Sequence, residues 1–487
     1  MLKEKPHIHL FKTPRGNYIY DVNTNKILKT DIDVFNNLSN VLNNNESPTN
    51  EIVNKKIKRF EENGFLSSRR FKYITHWADE TLEYYYNNKL SLMALQVTQQ
   101  CNLRCEYCVY SGGYLNRGHN NKKMTFEVAK RSIDFLISHS RDSSNIALGF
   151  YGGEPLLQFD LIKKCVEYLE ENAEGKEFIF NITVNGTLLT DEIVEFLIDH
   201  NFYLMISLDG PKEVHDKSRK FAGNGCGTFN TVMQNIERIK EKYPEFHKRI
   251  TFSVVMNTEN SFKCIDEFFT TYETIKNSTK NVSSLSTVYT NNQNHTTNEN
   301  FILEKGYEDF KVFLHILKRL DKKYVSAISL EYFNHIKQYM FDYRKPTTKL
   351  PEYGHHSGPC IPGVNRLFVD VNGNLFPCEK VSENSKMMKI GNIKDGFEIE
   401  KCRKLLNIGT LTEKSCKNCW ATNFCTLCAA YADDLNGLNS DKKQAECVKV
   451  KLNTEELFKD FIMLNEFGYV FDNKTFATTN SVNMEEA

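Results

Sequence analysis

Between residues 90 and 290, short runs of consecutive apolar residues alternate with longer stretches in which apolar positions recur every three or four residues. The runs predict buried strands at residues 92–97, 146–151, 178–184, 203–208 and 250–255, with a weaker sixth at 285–289. The helical spacing predicts helices at 125–138, 156–171, 191–201, 229–243 and 262–276. Strand and helix in regular alternation mean parallel strands joined by right-handed crossovers, an α/β fold. Ahead of this region, short strands are predicted at 8–11, 18–22 and 26–29, with turns at 14–17 and 23–25 and helices at 33–42 and 50–63. Gly64 stands where a helix stop belongs. Behind it, the polar run 291–300 reads as a loop. Helical stripes at 307–324 and 331–343 read as packing surfaces, and Pro346 and Pro351 mark the exit to a cysteine-rich segment.

Composition narrows the class. A chain of 487 residues exceeds the roughly 250–300 residues that one core covers, so two or three domains are expected. Lys and Arg together number 62, as do Asp and Glu, so no global field advertises nucleic acid or an anionic membrane. No apolar run approaches the length of about 18 residues that a membrane helix needs. The start, Met1-Leu2-Lys3-Glu4-Lys5-Pro6, lacks the apolar stretch of a signal peptide. The expectation is a cytoplasmic protein with no nucleic-acid or membrane partner. In that setting 14 cysteines argue for metal or redox use over disulfides.

Three cysteines, Cys101-x3-Cys105-x2-Cys108, directly follow the first strand of the alternating region. Iron–sulfur cubanes are normally held by four thiolates. Three from one loop, with no fourth nearby, leave one iron open for a ligand that is not protein. A zinc knuckle would want a fourth Cys or His close by, and His119 lies outside the motif. Seven more cysteines follow residue 355: Cys360, Cys378, Cys416, Cys419, Cys425, Cys428 and Cys447. Cys165, Cys226, Cys264 and Cys402 read as small buried apolar residues, although Cys226, in the loop 223–227, is placed to approach the active site. That glycine-rich loop follows no strand and is not a phosphate cradle.

The cysteine loop resembles that of the radical S-adenosylmethionine (SAM) enzymes, and five further features agree. Tyr107 fills the aromatic position before the third cysteine. Tyr151-Gly152-Gly153-Glu154-Pro155 resembles the glycine-rich strand end that lies against the methionyl amine of SAM. Val184-Asn185-Gly186-Thr187 and Ser207-Leu208-Asp209-Gly210 fall at the ends of the next two strands, where barrels place ligand contacts. Arg219 follows at the distance of the family's arginine for the SAM carboxylate. The resemblance implies a partial (β/α)6 TIM-like barrel with SAM bound through Tyr107, Gly152, Gly153, Glu154, Ser207, Asp209 and Arg219.

The late cysteines resemble the SPASM extension of peptide-modifying members. By that resemblance Cys360, Cys378 and Cys428 hold a first auxiliary cluster, and Cys416, Cys419, Cys425 and Cys447 a second. With the cluster on Cys101, Cys105 and Cys108 this implies three [4Fe-4S] clusters. Sulfatase-maturing members have a further cysteine shortly before the first of these, where this chain reads Tyr353-Gly354-His355-His356-Ser357. The first auxiliary cluster is then expected to have an open iron, or to take His355 or His356. The Cys-x2-Cys pairs also suit two tetrahedral zincs. Glu379 sits where sulfatase-maturing relatives have a catalytic aspartate and is a candidate proton acceptor; the alternative is a solvated surface carboxylate.

The first 85 residues resemble the three-strand, three-helix winged peptide-recognition element of maturases of ribosomally made peptides. A leader segment would add as a strand to the edge at 26–30, and deletion of residues 1–75 would weaken leader binding but spare SAM cleavage. The expected organisation is a winged-helix-like recognition domain at 1–85, the barrel at 86–290, a helical bridge at 291–355, the SPASM iron–sulfur domain at 356–450 and a C-terminal helix and tail at 451–487. The implied activity is that of sactipeptide and ranthipeptide maturases, including those of six-cysteine peptides: thioether crosslinking of a cysteine-rich precursor peptide, with electrons from a flavodoxin- or ferredoxin-type reductant. Carbon–carbon crosslinking, formylglycine formation and a zinc-stabilised peptide-binding protein are the alternatives.

Overall fold

The computed structural model describes residues 4–44, 50–110, 113–115, 118–173, 175–286, 288–290, 297–356 and 360–472. Most of the expected loop at 291–300, Thr287 of the expected sixth strand, Ser357 and the tail from residue 473 lie outside them.

Six parallel strands form the expected α/β partial barrel, in the spatial order of the sequence: Leu92–Thr98, Asn145–Gly152, Glu177–Val184, Tyr203–Ser207, Thr251–Met256 and Thr279–Ser284. The first five lie where the apolar runs put them. The sixth does not, for residues 285–289 are not its strand. An edge strand needs no apolar run, and Thr279–Ser284 carries a single aliphatic residue, Val282. The apolar signal at Tyr289 has another use: its hydroxyl donates to Asp433 at 2.8 Å, tying the barrel rim to the cysteine-rich part. A short helix not predicted, Lys212–Ser218, follows the fourth strand, and the helix after the fifth stops at Thr271, where Tyr272 turns extended.

The sheet does not end at the first barrel strand. Leu367–Val369 adds to it in parallel, with Leu367 opposite Met93 and Val369 opposite Leu95. Three short antiparallel strands, Asn374–Phe376, Gly391–Asn392 and Gly396–Phe397, extend it to ten. The cysteine-rich part is therefore continuous with the barrel, and its Phe368, Leu375 and Ile390 share one apolar core with Leu95, Leu148 and Ile206.

The amino-terminal sheet, Ile8–Thr13, Gly16–Asp21 and Lys26–Thr30, is an antiparallel meander with Lys26–Thr30 at one edge. Period-2 alternation gives it two buried faces. Ile8 and Ile19 pack on the helices Ile32–Leu42 and Glu51–Glu62, while Phe11, Tyr18 and Tyr20 pack on the carboxy-terminal helix Cys447–Glu466 through Phe458 and Phe461. His9 stacks on Trp420 at 3.6 Å and pairs with Glu455 at 2.9 Å. Among the described residues the module has two helices, not three; the next one, Leu82–Asn88, buries Leu82 and Tyr86 in the barrel core. Deleting residues 1–75 would thus also uncover the carboxy-terminal helix.

The bridging helices run over Glu299–Ile316 and Ala327–Lys337, the second continuing as a π-turn to Asp342. The first stripe is not all packing: Val312, Phe313 and Ile316 are buried, whereas Tyr307 and Phe310 are exposed. No helix among the described residues is long and apolar enough to cross a membrane.

Candidate active site

The cysteine loop leaves the first barrel strand from a backbone clamp. The Gly153 amide donates to the Thr98 carbonyl at 2.9 Å and the Glu154 amide to that of Gln100 at 2.9 Å. A Cβ on Gly152 would stand 2.0 Å from the Thr98 oxygen, and one on Gly153 2.1 Å from the Gln100 oxygen. Two backbones touch here, which only glycine permits. The buried Glu154 carboxylate accepts the Asn185 amide at 2.8 Å and the Leu156 amide at 3.1 Å. Burial pushes this carboxyl up to about 7 against those two donors.

Cys101, Cys105 and Cys108 converge as electrostatic neighbours. Backbone amides are directed at two of the sulfurs, Leu103 to Cys101 at 3.3 Å and Tyr110 to Cys108 at 3.4 Å. Burial, reinforced by Glu154 and the other thiols, pushes Cys101 up to about 12; burial likewise lifts Cys105 to about 11 although Arg219 opposes it. Such a pocket holds thiolates only when a bound cation supplies the charge. Among the described residues no three His, Cys, Asp or Glu gather closely enough to hold a single metal ion. Three thiols sharing one field, Cys105 buried and Cys101 and Cys108 half-buried, with amides aimed at sulfur and a cradle of bare backbone beside them, fit a cluster with one open corner.

The far wall is an ion pair. Arg219 donates to Asp209 through Nε at 2.8 Å and Nη2 at 3.2 Å, both residues being almost fully buried. The Tyr107 hydroxyl donates to the same carboxylate, and its ring lies 5.4 Å from the guanidinium carbon. Burial alone would raise the Asp209 carboxyl, but the Arg219 charge outweighs it and holds the group below the usual carboxylate range. Backbone bonds from Arg104 to Lys220 at 2.8 Å and from Glu106 to Ser218 at 3.0 Å lace this wall to the cysteine loop. Ser207 lies half-buried at the end of its strand, opposite Ser253.

Sequence reasoning missed a polar network at the barrel mouth. The buried Gln96 amide donates to Glu383 at 2.6 Å and to the Tyr110 hydroxyl at 2.8 Å, and its carbonyl accepts from Gln99 at 2.9 Å and from the Val371 amide at 3.2 Å. Gln99 also donates to Glu383 at 2.9 Å. The signal was present as two glutamines bracketing the end of an otherwise apolar strand, but their carboxylate partner lies 287 residues away.

The late cysteines form two groups of electrostatic neighbours. Cys360, Cys378 and Cys428 act on one another, as do Cys416, Cys419, Cys425 and Cys447. His355 and His356 find partners beside the second set. His355 Nε2 accepts the Gly409 amide at 2.8 Å. His356 lies by the Cys425 backbone and Lys443, and burial lowers its pKa to about 2. Glu379 is no solvated carboxylate; its side chain is 11% exposed and paired with Arg366 at 2.9 Å, beside Cys378. Of the four remaining cysteines, Cys165 and Cys402 are buried as expected, while Cys226 and Cys264 are exposed.

Residues 95–269 match the model of the radical SAM superfamily. The chain therefore carries a radical SAM domain over those residues. A radical SAM domain implies a [4Fe-4S] cluster and SAM. The chain is 31% identical over 187 residues to a cysteine-type anaerobic sulfatase-maturating enzyme of Clostridium novyi, covering 37% of this chain and 48% of that one. It is 25% identical over 343 residues to a cysteine-type anaerobic sulfatase-maturating enzyme of Clostridium perfringens, covering 68% of this chain and 86% of the relative. The chain spans about half the length, or less, of the first curated relatives it matches. In fold it is similar to native anSMEcpe with bound AdoMet, with a TM-score of 0.55 and 20% identity over 76% of this chain and 99% of that one.

Proposed function

We propose that this radical SAM enzyme is a peptide maturase that forms thioether crosslinks in a cysteine-rich, ribosomally made precursor. When bound, a reduced cluster on Cys101, Cys105 and Cys108 together with SAM supplies the deoxyadenosyl radical that takes hydrogen from a substrate carbon. The chain's own residues bind and orient. The bare backbone of Gly152 and Gly153 offers carbonyls to the methionyl amine. Arg219 commits two N–H groups to Asp209 and also bonds the Cys105 side chain, and the remaining N–H groups of the fork would take the SAM carboxylate. Tyr107 and Glu154 brace the two sides, and Ser207 lines the strand ends. Glu383, fixed by Gln96 and Gln99, gives the mouth a rigid carboxylate for positioning the peptide.

The observation that supports the thioether reading is the three-membered set Cys360, Cys378 and Cys428, with His355 bonded to the Gly409 amide and His356 beside the Cys425 backbone. A cluster with only these ligands would keep a coordination site for a substrate cysteine. Forming the carbon–sulfur bond removes one hydrogen from the carbon and a proton from the thiol, and the remaining electron passes to an auxiliary cluster. A leader strand adding to the edge Lys26–Thr30 would hold the precursor, and a flavodoxin- or ferredoxin-type protein in the cytoplasm would supply electrons. Neighbouring structures with Kp18Cys or Cp18Cys peptide bound to anSMEcpe are consistent with a peptide partner.

Formylglycine formation is the second reading, favoured by the sulfatase-maturating relatives. Product mass separates the readings. Each thioether removes two hydrogens and one iodoacetamide-reactive thiol, a carbon–carbon bond removes two hydrogens and no thiol, and formylglycine from cysteine loses sulfur. Glu379→Gln is expected to slow product formation at least tenfold while deoxyadenosine release persists; unchanged product formation would remove Glu379 as a proton acceptor.

A further inference from the structure

Lys443, on the short helix Ser440–Ala445, is 1% exposed. Lysine is almost never buried without a partner, because an unpaired interior charge costs several kcal/mol, roughly, even after relaxation. Its Nζ donates to the Thr412 hydroxyl at 2.8 Å and lies 3.7 Å from Cys416 Sγ. Thr412 Oγ1 is itself 3.3 Å from that sulfur. Among the described residues no carboxylate pairs with Lys443. Its charge acts on Cys425 and Cys447, and also on His355 and His356. Around the same thiols, Lys451 reaches Cys419 and Cys447, and Glu446 is the carboxylate acting on Cys447. The first auxiliary set differs: the cation that acts on Cys360 and Cys428 is Lys380, which is exposed to water.

A dry ammonium bonded to one hydroxyl, 3.7 Å from the Cys416 sulfur and acting on the thiols of Cys425 and Cys447 needs an anion in that place. We infer that Lys443 is the internal countercharge of an iron–sulfur cluster on Cys416, Cys419, Cys425 and Cys447, raising that cluster's reduction potential above what solvent-facing ligands would give. This rests on the proposed reading of the four cysteines as a cluster site. Net charge and hydrogen bonds to sulfur are the protein's means of setting such potentials, and a buried charge is screened far less than one in water. Lys443 is thus a positioning residue for charge, with Thr412 aiming it at Cys416. The second auxiliary cluster becomes the better electron acceptor of the two, drawing electrons away from the set beside the substrate.

The test is a potentiometric titration, followed by electron paramagnetic resonance, of the anaerobically reconstituted full chain. Lys443→Met is expected to keep the wild-type iron and sulfide content and to shift one auxiliary midpoint to more negative potential, with Lys443→Arg recovering most of the shift. Loss of about four irons in Lys443→Met, restored in Lys443→Arg, supports the same role. Thr412→Val, which frees the ammonium but keeps its charge, is expected to give a smaller shift of the same sign and serves if Lys443→Met does not fold. Midpoints unmoved in Lys443→Met, or in Thr412→Val where it stands in, overturn the inference. A wild-type iron count with no room for this cluster sinks the cluster reading as well, so the two failures are told apart.

Discussion

Asp209→Asn is expected to cost about 3–5 kcal/mol of folding stability, because it leaves the Arg219 guanidinium buried without its counter-ion. The pair is almost fully buried and bonded through two nitrogens, at 2.8 and 3.2 Å. Replacing both partners with apolar residues, Asp209→Leu with Arg219→Met, removes the stranded charge and is expected to recover most of the loss. Deoxyadenosine formation does not recover, since the wall of the SAM site has then gone. Urea midpoints and SAM cleavage, measured on the same three proteins, separate stability from function. The pH dependence has a definite sign. The Asp209 carboxyl is held below its unfolded value against the pull of burial, so the pair's contribution is complete above the ordinary carboxylate range. It is lost as pH falls through the lowered native value.

Gly153→Val is expected to cut SAM cleavage by about 100-fold, the scale on which displacing a reacting group by ~1 Å acts. The new Cβ would stand 2.1 Å from the Gln100 oxygen and 3.0 Å from the Cys101 nitrogen, both backbone atoms that cannot turn aside. The strand end and the cysteine loop must part, and iron content after reconstitution should fall with activity. Gly306→Ala is the control. Nothing lies within 4 Å of its would-be Cβ, and in the helix Glu299–Ile316 alanine is expected to be neutral or to stabilise by up to about 1 kcal/mol. Full activity in Gly153→Val would mean that the clamp does not position the loop.

Much of this site was legible because its chemistry is local in sequence. The Cys101 loop, the Gly152-Gly153-Glu154 strand end and the Asp209-to-Arg219 segment each sit directly after a strand whose apolar run is unmistakable, so strand order alone brings them to one mouth. What escaped was non-local or polar. Glu383 and Gln96 meet across the join between barrel and cysteine-rich part, and nothing in either segment announces the other. The edge strand Thr279–Ser284 is too polar to be read by periodicity. Lys443 looks like one more surface lysine until packing buries it. The adjacent histidines 355 and 356 lie in sequence before Cys360 yet turn towards Gly409 and Cys425, a matter of backbone path that spacing does not encode.

The most direct test is deoxyadenosine release. The full chain, reconstituted anaerobically with iron and sulfide and reduced with dithionite, is expected to cleave SAM to deoxyadenosine and methionine, whereas the Cys101→Ala, Cys105→Ala, Cys108→Ala triple variant is expected to release none. Equal release by the two proteins, or none by either, would contradict the account.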